Sequence, residues 1–173
     1  MAKFQTELNE TLIKFIKEQK IFFTATAPGN GRINLSPKGI DTFRCLDNKT
    51  VGYLDLTGSG NETSAHIQEN GRMTVMFCSF TAKPLILRLY GKGEVVKLGS
   101  VKWNKLIPNF IRDFGERQII LLHIESLQTS CGFGVPIYEL VEERNTLIDW
   151  AEGKDEEKLR DYWQTKNLES IDG

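Results

Sequence analysis

Residues 53–80, "YLDLTGSGNETSAHIQENGRMTVMFCSF", decide the fold. An apolar run ends at Leu56, a turn built on Gly58 and Gly60 follows, and a short polar stretch leads straight into a second apolar run. Asn61 suits an N-cap, Glu62 a first helical turn and Gly71 a C-terminal stop. A helix of about two turns is therefore predicted from Glu62. Its first N–H groups have no partner inside the helix, and its dipole favours an anion there by about 0.3–1 kcal/mol. Neutral donors on Asn61, Thr63 and Ser64 would add grip. The plain alternative is a tight connection ahead of a capped helix, and the turn alone does not choose. Two familiar phosphate loops are excluded. A Walker-type loop needs a Gly-Lys-Ser/Thr ending that is missing here. A dinucleotide fingerprint needs a third glycine where Thr63 stands, in a parallel setting.

Outward from this stretch the chain reads as strands. "KIFFTATAP" (20–28) and "RINLSPKG" (32–39) are short and β-prone, with "PGNG" as the turn between them. "TVGYLDLT" (50–57) is a third strand, and "RMTVMFCSF" (72–80) pairs with "PLILRLYGKGEVVKL" (84–98) through a turn near Lys83 and Pro84. "RQIILLHIESLQTSC" (117–131) puts Ile119, Leu121 and His123 on one face and Ile120, Leu122 and Ile124 on the other. Helical spacing marks "TELNETLIKFIKEQ" (6–19), with Leu8, Leu12, Phe15 and Ile16 on one face, and "SVKWNKLIPNF" (100–110) up to Pro108. The tail reads as two helical pieces broken near Gly153. Thr146 and Asp149 resemble a capping box, and Leu159, Tyr162 and Trp163 form an apolar edge. Six strands without β-α-β alternation predict a mainly β fold with flanking helices, an antiparallel barrel. "MTVMF" and "IILL" are apolar on both faces, so a helix or a second subunit must cover the outside.

At 173 residues with a net charge of -1, 40% hydrophobic and 26% charged, the chain is expected to be a single domain spanning 1–173. That balance argues against nucleic acid or an anionic membrane as partner. No secretory signal or membrane span is read. Cys45, Cys78 and Cys131 form neither a disulfide framework nor a zinc motif, which suits a cytoplasmic location. His66 and His123 read as packed, hydrogen-bonded residues, and no metal site is expected. Ser36, Pro37 and Lys38 close a strand with a hydroxyl, a bend and a charge. Lys38 is either a solvated edge charge or, if the barrel carries it to the helix start, a counter-charge for a phosphate. In "TSCGFGVP" (129–136) the glycines beside Phe133 allow a flat ligand close to the backbone, or simply make a loop.

Together "GRINLSPKG", residues 53–80, "LRLYGKGEVV" and "QTSCGFGVP" resemble the pyridoxamine 5'-phosphate oxidase-like, FMN-binding split-barrel proteins, in a subgroup with the longer "TGSGNET" turn. The resemblance implies a six-stranded antiparallel split β-barrel over about residues 20–136, a helical tail over about 146–170, and a homodimer with FMN at the interface. It implies that Asn34, Leu35, Ser36 and Lys38 line the flavin ring and ribityl chain, with Lys38 reaching the phosphate. Asp55 and Leu56 would lie beside the cofactor. Asn61, Thr63 and Ser64 would hold the phosphate, and Cys131 and Gly132 would approach the ring, from the other subunit. The implied activity is an FMN-dependent oxidation or reduction of a small organic substrate. The alternative is a flavin- or haem-binding, sensing protein of the same fold that does not turn over. Two departures bear on the substrate. Thr63 and Ser64 stand where true pyridoxamine phosphate oxidases carry Arg-Lys, and "LRDYWQTKNLESIDG" is not their Arg-rich terminal motif. Pyridoxamine phosphate is thereby disfavoured.

Overall fold

The computed structural model describes residues 3–173. Strand β1 (Lys3–Gln5) precedes helix α1 (Glu10–Glu18), whose N-cap Asn9 accepts the Leu12 N–H at 3.0 Å. Leu12, Phe15 and Ile16 of α1 are buried, as the spacing predicts, and so is Leu8 ahead of the cap. Strands β2 (Phe22–Thr26), β3 (Asn34–Lys38), β4 (Phe43–Cys45) and β5 (Thr50–Leu56) follow. Helix α2 (Glu62–Asn70) ends at Gly71, which adopts φ 71° as a left-handed C-terminal cap. Next come β6 (Arg72–Cys78) and β7 (Ile86–Lys97), then α3 (Val101–Leu106), capped by the Ser100 hydroxyl. Pro108 sits in a 3-10 turn, Ile107–Asn109, and β8 (Glu116–Ser130) closes the sheet. The tail forms α4 (Thr146–Glu152) and α5 (Glu156–Lys166), broken at Gly153. Asn145, not Thr146, occupies the α4 N-cap, and its side chain makes no capping bond. The Thr146–Asp149 capping box is therefore absent.

The strands form one antiparallel sheet in the order β3-β2-β6-β7-β8-β5-β4, with β1 on the far end of β8. The six strands of five or more residues are those read from the sequence. The three-residue β1 and β4 are too short to show a period. The sheet curls until its ends meet: Phe22 of β2 lies 4.9 Å from Phe43 of β4 and 5.4 Å from Tyr53 of β5, ring to ring. This is a split barrel. Its interior packs Phe22, Val51, Tyr53, Val75, Phe77, Leu87, Leu89, Ile120 and Leu122, closed by α1 and by Ile67 of α2. The outer face of β5 and β8 carries a second core, with Leu54, Leu56, Ile119 and Leu121 against Trp103 and Phe110. The apolar outside of "IILL" is thus covered by the chain's own α3 and 3-10 turn, and it makes no demand for a partner.

Strand β8 carries two bulges. Pairing steps from Asp55↔Gln118 to Leu56↔Glu116, leaving Arg117 as an extra residue, and from Tyr90↔Ser126 to Gly91↔Ile124, leaving Glu125. A bulge bends its strand and re-aims a side chain. The first one shapes the site. Among the described residues no helix is long and apolar enough to cross a membrane.

Candidate functional site

The first turn of α2 lies over one end of the barrel interior. Alternation along β2 turns Thr24 and Thr26 inward, and along β5 it does the same for Tyr53 and Asp55, all buried. Asn34 on β3 donates to Thr63 Oγ1 at 3.0 Å and to Thr26 Oγ1 at 3.3 Å, which ties the sheet edge to the helix start. The Thr26 hydroxyl is also 3.0 Å from His66 Nδ1. Thr63, Ser64 and His66 are all buried beneath α2.

Beside this cluster sits a charged group centred on Asp55. Arg117 donates to Asp55 Oδ2 through Nη2 at 2.7 Å and through Nε at 3.1 Å, and Gln118 donates to the same oxygen at 2.8 Å. Consecutive residues of a regular strand point to opposite faces, so both reach one carboxylate only because Arg117 is the bulge residue. Lys38 approaches the other oxygen at 3.5 Å. Two cations thus face one buried carboxylate, which leaves local positive charge for an anion.

The glycine turn is held from the tail. Trp163 Nε1–H donates to Thr57 Oγ1 at 2.8 Å, and the Thr57 hydroxyl donates to the Gly115 carbonyl at 2.7 Å. Arg117 donates to the Gly60 carbonyl and to Asn167 Oδ1, while Asn167 donates to the Gly58 carbonyl. Further along, Ile171 N–H donates to the Glu62 carboxylate at 3.1 Å, and Asp172 pairs with Arg32.

Not every residue expected at the cofactor gathers here. Asn34, Lys38, Asp55, Asn61, Thr63 and Ser64 do. Ser36 shares the half-buried face of β3 with Asn34 and Lys38, whereas Leu35 is 65% exposed on the opposite face. Leu56 packs into the outer core with Trp103. Cys131 and Gly132 follow the end of β8 remote from Gln118, so within one chain they are distant from α2. Asn61 is the N-cap by position, yet its side chain makes no capping bond and instead accepts from Gln118 Nε2 at 2.8 Å. The first-turn N–H groups of α2 are left without that cap. His66 is packed as expected; His123 is exposed on the outer face and pairs with Glu94 at 2.9 Å. Arg117, Gln118, Asn167 and Thr24 carried no sequence signal, because a bulge and a returning tail leave no period.

One observation tests whether a cofactor fits. The Thr24 and Tyr53 hydroxyls are buried together, with the Thr63 hydroxyl also close to the phenol and neither of the two in a well-formed bond. His66 Nε2 is buried without a hydrogen-bond partner, 3.8 Å from the Glu62 carboxylate. Orphan polar atoms are rare and costly in folded proteins and call for water or a ligand. Burial, reinforced by the Asp55 charge, pushes the Tyr53 phenol well above its ordinary value, so it stays a neutral donor. Uncapped N–H groups, neutral hydroxyls and spare positive charge suit the phosphate of a nucleotide cofactor.

Comparison with known proteins agrees with the geometry. The family model described as pyridoxamine 5'-phosphate oxidase matches residues 8–131. The chain belongs to the pyridoxamine 5'-phosphate oxidase family. It is 41% identical over 151 residues to the pyridoxamine 5'-phosphate oxidase family protein ustO of Aspergillus flavus, which covers 84% of this chain and 61% of that protein. This family member thus spans less than two thirds of that relative's length. The same barrel occurs in HupZ of Group A Streptococcus, at TM-score 0.53 and 20% identity over 69% of this chain and 92% of that one. It recurs in the FAD binding protein of Mycobacterium smegmatis, at TM-score 0.50 and 12% identity over 73% and 97%.

Proposed function

We propose that this chain binds FMN with its phosphate at the first turn of α2 and serves as an FMN-dependent oxidoreductase acting on a small organic substrate. The observation that carries the reading is the uncapped first turn of α2 beside the buried polar atoms of Thr24, Tyr53 and His66 and the Lys38–Asp55–Arg117 group. Family membership and a structural neighbour named as a flavin-binding protein support it. Thr63 and Ser64 hold the phosphate with neutral donors, Asn34 fixes the Thr63 hydroxyl beside it, and Lys38 adds charge from the end of β3. Ser36, on the same face as both, lines the ribityl chain. Arg117 and Gln118 keep Asp55 in place. When bound, the isoalloxazine supplies the hydride chemistry, and the protein's part is to bind, orient and shield it.

The cofactor is proposed to lie at the interface of a homodimer. Phe133, Ile137, Tyr138, Leu140 and Val141 are exposed in one irregular segment after β8, more apolar surface than a lone chain usually leaves open. A second subunit's Cys131 and Gly132 would then reach the ring that their own chain does not approach. Within one chain Leu35 and Leu56 face away from this site.

Stopped-flow mixing of the FMN-loaded protein with NADH or NADPH tests the activity. Bleaching of the flavin, followed by reoxidation with a substrate panel, is the expected result. Bound flavin that no donor reduces would instead favour the non-catalytic flavin carrier, which shares the site. The haem version needs an imidazole open to a haem face, but His66 is only 2% exposed and His123 is engaged by Glu94.

A further inference from the structure

At the other end of β2 and β3 the barrel opens into a cavity of about 390 Å³, between the end of α1 and residues 39–45. Its lining includes no residue of α2 and neither Asn34, Lys38 nor Asp55, so this cavity is distinct from the first turn of α2. Its floor is aromatic. The Phe43 ring stands edge-on to Phe22 and to Phe77, each at 4.9 Å, and Ile16 closes one side. Such edges and faces favour another ring, and the volume lies in the lower range of small-ligand pockets, about 300–1,000 Å³.

The rim is charged. Arg44 grips both Asp41 oxygens at 3.0 and 3.1 Å and also donates to the Asn109, Asp41 and Phe43 carbonyls, so this pair is a neutral wall. Lys17 and Lys20 have no ion-pair partner among the described residues, against a single further carboxylate, Glu143. The negative end of the α1 dipole opposes an anion here. Gln19 offsets it by donating to the Phe15 carbonyl at 2.8 Å and to the Ile16 carbonyl at 3.1 Å. Two ammonium groups then outweigh what is left. Burial, against the pull of Lys17, raises the Cys45 thiol to about 11, so the wall adds no thiolate to compete at neutral pH. Ile40 and Asp41 hold positive φ, 59° and 43°, a strained conformation kept by the Arg44 bonds. Strain of this kind is concentrated where a ligand is gripped.

We infer that this cavity binds a small aromatic carboxylate, ring against Phe43, which Phe22 and Phe77 back from the core, and carboxylate between Lys17 and Lys20, independently of the cofactor. Amide NMR titration tests it, with 3-phenylpropionate and its neutral alcohol, 3-phenylpropan-1-ol, as probes, on the protein with and without FMN. The acid is expected to shift the Lys17–Lys20 and Phe43–Cys45 amides in both forms and to bind roughly tenfold more tightly than the alcohol. The surface double variant Lys17→Gln/Lys20→Gln should erase that preference while leaving alcohol binding unchanged. Bound acid should also slow alkylation of Cys45 but not of the exposed Cys131. No saturable shifts at these amides, or equal acid affinity in the double variant, would overturn the inference. Displacement of the acid by FMN would also overturn it, since the cavity would then belong to the flavin ring. Because the cofactor-free protein is titrated too, failure to bind FMN leaves this test intact.

Discussion

Asp55 shows how much one buried side chain can organise. It lies on the inner face of β5 with a side chain 5% exposed, and Arg117 opposite is only 9% exposed. A buried ion pair adds little over an apolar pair, but losing one partner strands the other. Arg117→Ala is therefore expected to cost about 3–5 kcal/mol, read as a lowered urea midpoint. Lys38→Ala should cost clearly less, since Lys38 is more exposed and sits at 3.5 Å. Asn34 tests the anion site at the same scale. Asn34→Asp keeps the shape but sets a carboxylate 3.0 Å from Thr63 Oγ1, so the melting temperature should hold while FMN affinity drops at least about tenfold. Unchanged affinity would remove Asn34 from the phosphate site. The sequence pointed to Thr63 from its place in the first turn of a helix, to Lys38 as a charge closing a strand, and to Asn34 only through the family resemblance. It did not point to Arg117, since a bulge adds a residue without altering composition.

At the scale of elements, α2 and β8 carry the site. The limits of α2 follow from Asn61, Glu62 and Gly71, and the structure keeps them. What the sequence left open is how the glycine turn ahead of it is held: by Asn167 and Trp163, which return from more than a hundred residues away. Local patterns carry no trace of such a contact. The long strands β7 and β8 are joined to α3 on the outer face by a second charged group, where Glu94 accepts from Lys102 and His123. Burial raises the Glu94 carboxyl, but those hydrogen bonds and charges outweigh it and hold the carboxyl below its usual range. Its contribution to stability is thus complete above about pH 4.3, the ordinary glutamate value, and is lost as pH falls through the lower folded value. Comparing urea midpoints at about pH 6 and about pH 3 should show a smaller acid loss in Glu94→Gln than in the parent. An equal loss would place the acid sensitivity elsewhere.

The whole molecule is a split barrel with two apolar cores, one inside and one under α3. Its six longer strands and their antiparallel character were readable from alternation and turn residues, whereas the three-residue β1 and β4 were not. Closure into a barrel was expected as well, but not the contact of Phe22 with Phe43 that completes it, because β4 is three residues long. The sequence asked for a helix or a second subunit over the outer apolar face, and on β5 and β8 the chain's own α3 and 3-10 turn supply it. The expectation of a second subunit now rests on the exposed segment from Phe133 to Val141. Light scattering on the eluted protein should give twice the 19.7 kDa chain mass, and Tyr138→Asp with Val141→Asp should halve it. A monomeric parent would leave the site without Cys131 and Gly132. The central claim is the flavin nucleotide at α2. Its most direct test is the visible spectrum of the freshly purified protein, with the mass of whatever heat releases from it. Flavin bands and the mass of FMN are the predicted result; a colourless protein that also fails to bind added FMN would contradict the account.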